Sequence, residues 1–241
     1  MKLNKYVINQ FKKLYRIKKK EIISRLKEFE KIWSDKNDEE IFTELAFCIL
    51  TPQSRAKLCW DAIVKLREKD LLLKGNAEQI RQGLSGVRFK NKKAKYIVKA
   101  RKLFMTQNRI KAIPSHHPLV KGGRGDFKVN NNVSLKPILS KFVDVYECRD
   151  WLEKNINGLG YKEASHFLRN IGFGEKIAIL DRHILRNLKE IGIIEEIPKY
   201  LNRSGYSRIE KNMIEFSKQI NIPPSHLDLL LWSKETGEIF K

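Results

Sequence analysis

Apolar residues recur along this chain at the spacing of one helix face. Ile22, Leu26 and Phe29 form one such stripe, and Ile41, Leu45, Cys48 and Ile49 form a second. Tyr96, Ile97, Ala100, Leu103 and Phe104 repeat it, as do Ile209, Met213, Phe216 and Ile220. Steps of three and four place these side chains on one side of a helix, whereas a half-buried strand would alternate at every second position. No alternating run competes, so the pattern predicts an all-α protein of about nine to eleven helices. Turn-forming residues mark the breaks, at Ser34-Asp35, Thr51-Pro52, Gly75-Asn76, Gly83 to Gly86, Asn157-Gly158, Gly172 to Gly174 and Pro223-Pro224. One stretch has no helical period: Pro114 to Pro137, PSHHPLVKGGRGDFKVNNNVSLKP, rich in Gly, Asn, Pro and His, reads as a long surface loop over 114–137. Its Lys121 to Gly125 segment offers backbone amides and two cations to a phosphate. An inert insertion would look the same.

Composition narrows the partners. The 241 residues are 41% hydrophobic, enough for one sizeable domain or two lobes sharing a cleft. Lys and Arg total 49 against 28 Asp and Glu, a formal charge of +21. Such an excess suits a polyanion, because basic side chains that meet phosphates release condensed counterions. A surface of solubilising lysines would give the same count, and nucleic acid is the leading partner. Cys48, Cys59 and Cys148 are scattered, without the C-x-x-C spacing of a zinc site and without a disulfide framework. The basic start lacks the apolar stretch of a signal peptide, and no run approaches the roughly 18 apolar residues of a membrane span. A soluble, intracellular protein without membrane contact is expected.

The chemistry lies further along. Trp151 to Gly172, WLEKNINGLGYKEASHFLRNIG, reads as helix, tight turn at Gly158-Leu159-Gly160, and helix. Glycines there reach positive φ and let the backbone approach a surface, so that amides opening the second helix can hold a phosphate. This is a helix-hairpin-helix, which grips the DNA backbone without reading bases. The G-x-G alone would equally suit an ordinary helix-to-helix turn.

The continuation, YKEASHFLRNIGFGEKIAILDRHILRNL, resembles the Gly/Pro/Asp-type helix-hairpin-helix superfamily of DNA glycosylases, most closely the archaeal-type 8-oxoguanine DNA glycosylase/lyases. The resemblance is continuous over Trp151 to Leu188 and returns at Phe42 to Trp60, Val87 to Arg101 and Leu227 to Lys241. It implies two helical lobes with the active site between them. One covers 38–175 and ends in the hairpin, with the 114–137 insertion; the other combines 1–37 with 176–241 and carries Asp181 and the C-terminal base-recognition segment.

The resemblance makes Lys162 the nucleophile and Asp181 its carboxylate partner, 19 positions later. The chain allows them to meet. A helix from Lys162 to Gly172 rises roughly 16 Å, and an extended return from Glu175 to Asp181 spans up to about 23 Å. An amine must be unprotonated to attack, a form favoured by burial and by the positive end of its own helix, whereas a nearby carboxylate favours the ammonium. Asp181 is therefore better used to stabilise the sugar cation that develops as the base leaves, and to hold or accept protons. The amine then attacks C1′, and elimination of the 3′ phosphate follows from the Schiff base. Singly, Lys162 would pass for a solvated lysine and Asp181 for a helix cap. Arg182 and His183 follow the aspartate and suit phosphate contacts, together with Gly158, Gly160 and Tyr161 of the hairpin.

A glycosylase must also extrude its base and fill the gap. By resemblance, Gln53 in the turn Leu50 to Ser54 enters the hole left by the base, and Phe89, beside Arg88 in the turn Val87 to Asn91, is the wedge. The alternative makes Phe89 a core residue and Arg88 a solvated charge. 8-Oxoguanine carries a hydrogen on N7, so discrimination from guanine needs an acceptor placed there. The archaeal-type family also ends in lysine nine residues after a tryptophan, which implies that Trp232 stacks on the base and that the Lys241 end, carboxylate included, supplies polar contacts. Three scattered cysteines cannot hold the four-cysteine iron–sulfur cluster of related enzymes, so no cluster and no other metal cofactor is expected. The superfamily does admit a monovalent cation held by hairpin carbonyls. The expected partner is double-stranded DNA containing 8-oxoguanine, bound by a monomer. A helix-hairpin-helix glycosylase for an oxidised pyrimidine, or a non-catalytic basic hairpin module, are the alternatives.

Overall fold

A computed structural model describes residues 5–105 and 133–241, all of whose regular elements are helical. There are twelve, α1 (Lys5–Ser34), α2 (Asp38–Leu50), α3 (Ala56–Glu68), α4 (Leu71–Lys74), α5 (Ala77–Gly83), α6 (Lys90–Met105), α7 (Lys136–Leu139), α8 (Val145–Asn155), α9 (Tyr161–Asn170), α10 (Arg182–Ile191), α11 (Arg203–Ile220) and α12 (Pro224–Thr236). The count exceeds the sequence expectation because α4 and α7 are single turns, too short to show a periodic stripe. Residues 114–132 of the expected loop lie outside the described residues. Its last residues depart from expectation: Val133 and Leu135 are buried, and Lys136 opens α7. The Leu135 and Lys136 amides donate to Asp38 Oδ1 at 2.9 and 2.7 Å, so the first turn of α2 anchors the returning chain.

Helix α2 is apolar on every side, DEEIFTELAFCIL, and a helix of that kind must be surrounded. Every residue from Ile41 to Leu50 is buried, against α3, α6 and α9. Around it gathers one apolar cluster that runs from Ile41 to Ile177. A second joins Val7, Phe11, Ile22 and Phe29 of α1 to Ala178, Leu180 and the buried faces of α10, α11 and α12. The seam between the clusters is crossed by buried charge. Arg149 of α8 pairs in bidentate fashion with Glu210 of α11, at 2.7 and 2.9 Å, and its guanidinium lies against the rings of Tyr146, Tyr161 and Tyr206. Arg169 of α9 pairs with Asp228 of α12 at 3.3 Å.

Removing one member of such a pair strands the other in a medium that cannot solvate it. Glu210→Gln should therefore cost about 3 kcal/mol, read as a lower urea midpoint at constant slope, and adding Arg149→Met should restore part of it.

Candidate active site

The hairpin forms between α8 and α9. Gly158 has φ of 90°, and a Cβ there would lie 2.6 Å from Tyr96 Cδ2, so both backbone and packing demand glycine. Gly160 differs from expectation. Its φ is −95°, and its amide is not left open for phosphate but donates to Glu163 Oε2 at 3.2 Å, closing a turn that Gly160 has no side chain to cap. The Tyr161 side chain is engaged within the protein. Its hydroxyl donates to Asp150 Oδ1 at 2.5 Å and its ring packs beside Tyr206, so burial and the Asp150 carboxylate push its pKa up to about 12.

After α9 the chain returns through Ile177 to Leu180, which is buried and outside any helix or strand. Such a segment forms no ladder, so its backbone groups need other partners. The Ala178 amide donates to Glu210 Oε1 at 2.8 Å. Tyr206 Oη donates to the Ala178 carbonyl at 2.6 Å and accepts the Leu180 amide at 3.2 Å. Asp228 Oδ1 accepts the Ile179 amide at 3.4 Å. The segment delivers Asp181, which accepts the Ile184 amide at 2.8 Å and so caps α10.

These elements enclose a cleft of about 510 Å³ lined by Gln53, Lys162, Asp181, His183, Trp232 and Lys241, with His166, Arg169 and Asp228 among the other lining residues. The cleft thus gathers six of the residues singled out from sequence. Within it the carboxylate that touches Lys162 is Glu163, at 2.8 Å, and not Asp181. Lys241 is docked, its ammonium paired with buried Glu44 and lying 3.7 Å from the centre of the Trp60 ring. The lysine head is therefore engaged with the protein at the wall of the cleft. Trp232 and Phe240 stack at 6.5 Å between centroids. His183 Nδ1 is 3.6 Å from Glu235, while Arg182 is exposed with no ion pair among the described residues. Arg88 is exposed, as is Phe89 at 53%, which removes the reading of Phe89 as core.

Sequence reasoning missed the buried polar residues beneath the cleft. His166 is held well below the ordinary histidine value by burial, then by the Arg169 and Lys162 cations, and is neutral near pH 7. Burial pushes the Asp228 carboxyl up to about 6, against the pull of Arg169. Lys93, Ser54, Glu44 and Tyr206 were missed too. The three cysteines are buried free thiols, and no cluster of three or more acidic, His or Cys side chains that could hold a metal occurs among the described residues. Nor is any described helix long and apolar enough to cross a membrane.

A glycine-turned hairpin that brings a lysine to an interlobe cleft, lined also by an aspartate at the head of the next helix, defines the class of helix-hairpin-helix DNA glycosylases. Comparison with known proteins narrows the class: residues 22–222 match the Ogg-HhH family, described as 8-oxoguanine DNA glycosylase. Two relatives named 8-oxoguanine DNA glycosylase/AP lyase agree along the full length. The one from Fusobacterium nucleatum is 44% identical and covers 100% of each chain; the one from Korarchaeum cryptofilum is 39% identical and covers 98% of each. Among solved structures, the 8-oxoguanine DNA glycosylase of Thermotoga maritima superposes with a TM-score of 0.78 at 28% identity, covering 98% of this chain and 99% of that one. The Methanocaldococcus jannaschii 8-oxoguanine glycosylase/lyase, solved with a 15mer DNA containing 8-oxoguanine, gives 0.76 at 34% identity, covering 96% and 99%. The chain belongs to the 8-oxoguanine DNA glycosylase family.

Tyr206→Phe removes both a donor and an acceptor from the return segment. We expect amide exchange at Leu180 to accelerate by on the order of tenfold or more, measured by native-state hydrogen exchange. Unchanged protection would mean that the segment is held without that hydroxyl.

Proposed function

We propose that this protein removes 8-oxoguanine from double-stranded DNA and then cleaves the strand at the abasic site, with Lys162 as nucleophile. The observation that carries the reading is the convergence of Lys162, Asp181, Trp232 and Lys241 on one cleft of about 510 Å³, within the roughly 300–1,000 Å³ of small-molecule sites. A flipped base stacks on Trp232 there, its sugar lying between Lys162 and Asp181. As the glycosidic bond breaks, the Asp181 carboxylate stabilises the cationic sugar. The Lys162 amine, drawn away from Glu163, forms a bond to C1′ as the base leaves with the glycosidic electron pair. The aminal so formed passes a nitrogen proton to O4′ as the C1′–O4′ bond breaks, which opens the sugar and leaves a Schiff base; this acidifies C2′, and loss of that proton expels the 3′ phosphate.

The formal charge of +21 supplies non-specific attraction to the duplex. Exposed Arg182 and Arg88 are the cations assigned to phosphate contacts in this reading, and Gln53 and Phe89 enter the stack as the base leaves it. One chain supplies every group the proposed chemistry needs, and the protein is read as a monomer.

Duplexes containing 8-oxoguanine, thymine glycol or uracil, each incubated with the protein and then with borohydride, test the reading. We expect a covalent adduct with 8-oxoguanine that Lys162→Gln abolishes. Adducts on the pyrimidines alone would move the enzyme to another lesion, and none at all would refute the lyase step. Lys241→Ala, which releases Glu44 beside the cleft, should slow 8-oxoguanine excision more than cleavage at a pre-formed abasic site. Equal losses would remove Lys241 from base reading.

A further inference from the structure

Gln53 and Phe89 share a backbone conformation that their side chains disfavour. Their φ angles are 54° and 58°, in the left-handed region that residues with a Cβ hold only when the surroundings impose it. The two turns carrying them lie 36 positions apart in the chain and meet in space through one side chain. Lys93 of α6 is 4% exposed. Its ammonium donates to the Leu50 carbonyl at 2.7 Å, to the Pro52 carbonyl at 2.7 Å and to Ser54 Oγ at 3.1 Å. All three protons are therefore used, the condition under which a buried ammonium is tolerated. The same residue's backbone amide donates to the Phe89 carbonyl at 3.1 Å. Ser54 Oγ closes the link by accepting the Arg88 amide at 3.0 Å. Lys93 thus bonds both neighbours of Gln53 and Phe89 itself.

We propose that Lys93 is a positioning residue for base extrusion, locking the Gln53 and Phe89 turns into one two-pronged unit before DNA arrives. The proposal rests on the reading of Gln53 and Phe89 as the residues that enter the stack. Two prongs that must enter one duplex step together lose effectiveness when either drifts by about an ångström, as any preorganised pair does. A cation serves here because three acceptors on two turns converge on one point, and neutral side chains offer fewer donors.

The test uses a duplex with 2-aminopurine beside 8-oxoguanine, whose fluorescence rises as stacking is lost, followed by stopped flow. A single-stranded oligonucleotide with a pre-formed abasic site, which needs no extrusion, is the reference. Lys93→Met keeps the length and removes the donors. We expect it to slow extrusion on the order of tenfold more than it slows abasic cleavage. Ser54→Ala, which spares the bonds to Leu50 and Pro52 but removes the acceptor of the Arg88 amide, should reproduce part of that loss, and the double variant should lose less than the sum of the two single losses. Equal losses on both substrates would make Lys93 a residue of stability only and overturn the proposal. Phe89→Ala and Gln53→Ala separate the two readings. If neither slows extrusion, the prongs are misassigned; if they do while Lys93→Met and Ser54→Ala do not, the clamp alone is wrong. Should Lys93→Met fail to fold, Ser54→Ala carries the same comparison.

Discussion

The structure depends on an irregular, buried run of four residues, Ile177 to Leu180, that no helix or strand supports. Four of its backbone groups, the amides of Ala178, Ile179 and Leu180 and the Ala178 carbonyl, are satisfied only by the side chains of Glu210, Asp228 and Tyr206. Left unpaired, each would cost about 1–3 kcal/mol, so that together they approach the roughly 5–15 kcal/mol stability of a whole domain. Two of these anchors are carboxylates, which need counterions of their own. Arg149 of α8 and Arg169 of α9 provide them. The cations that neutralise the anchors thus come from the two helices of the hairpin, and the segment they secure ends at Asp181. The hairpin and the aspartate that shares a cleft with its lysine are consequently one construction, coupled through charge buried between two apolar clusters.

That coupling also explains what the sequence made legible. Helices with a stripe of apolar residues were readable, as were most breaks, because a missing Cβ or a fixed proline φ acts locally. Of the site residues that the resemblance implied, six line one cleft. What escaped was charge placed on an apolar stripe. Lys93 stands in Lys90-Asn91-Lys92-Lys93-Ala94-Lys95, a run that looks solvated throughout. Yet it lies four positions before Ile97 and seven before Ala100, on their face of α6. Arg101, four beyond Ile97, is buried on the same helix and donates to the carbonyls of Leu72 and Gly75. Glu210, three before Met213, repeats the pattern on α11. Periodicity marked these positions as inward, but residue type argued outward, and the acceptors that reconcile the two come from distant segments. The partner of Lys162 escaped for another reason: a chain-length argument shows that Asp181 can reach it, while the adjacent Glu163 claims the amine through local helix geometry.

The two turns at the cleft mouth show the reverse balance, with local preference overruled by tertiary bonds. Neither glutamine nor phenylalanine favours positive φ, and glycine at either place would relieve the strain while removing the side chain proposed to fill the duplex. The strained backbone is held by bonds to Leu50, Pro52, Ser54 and Phe89, all of them made within the protein. Ordering of these turns is therefore completed on folding rather than on binding. Extrusion of a base already loses a few kcal/mol of stacking, and a surface that had to order two loops at that moment would add their entropy to the same step. A preformed mouth confines the binding energy to opening the duplex, which is where an enzyme that surveys mostly undamaged DNA needs it.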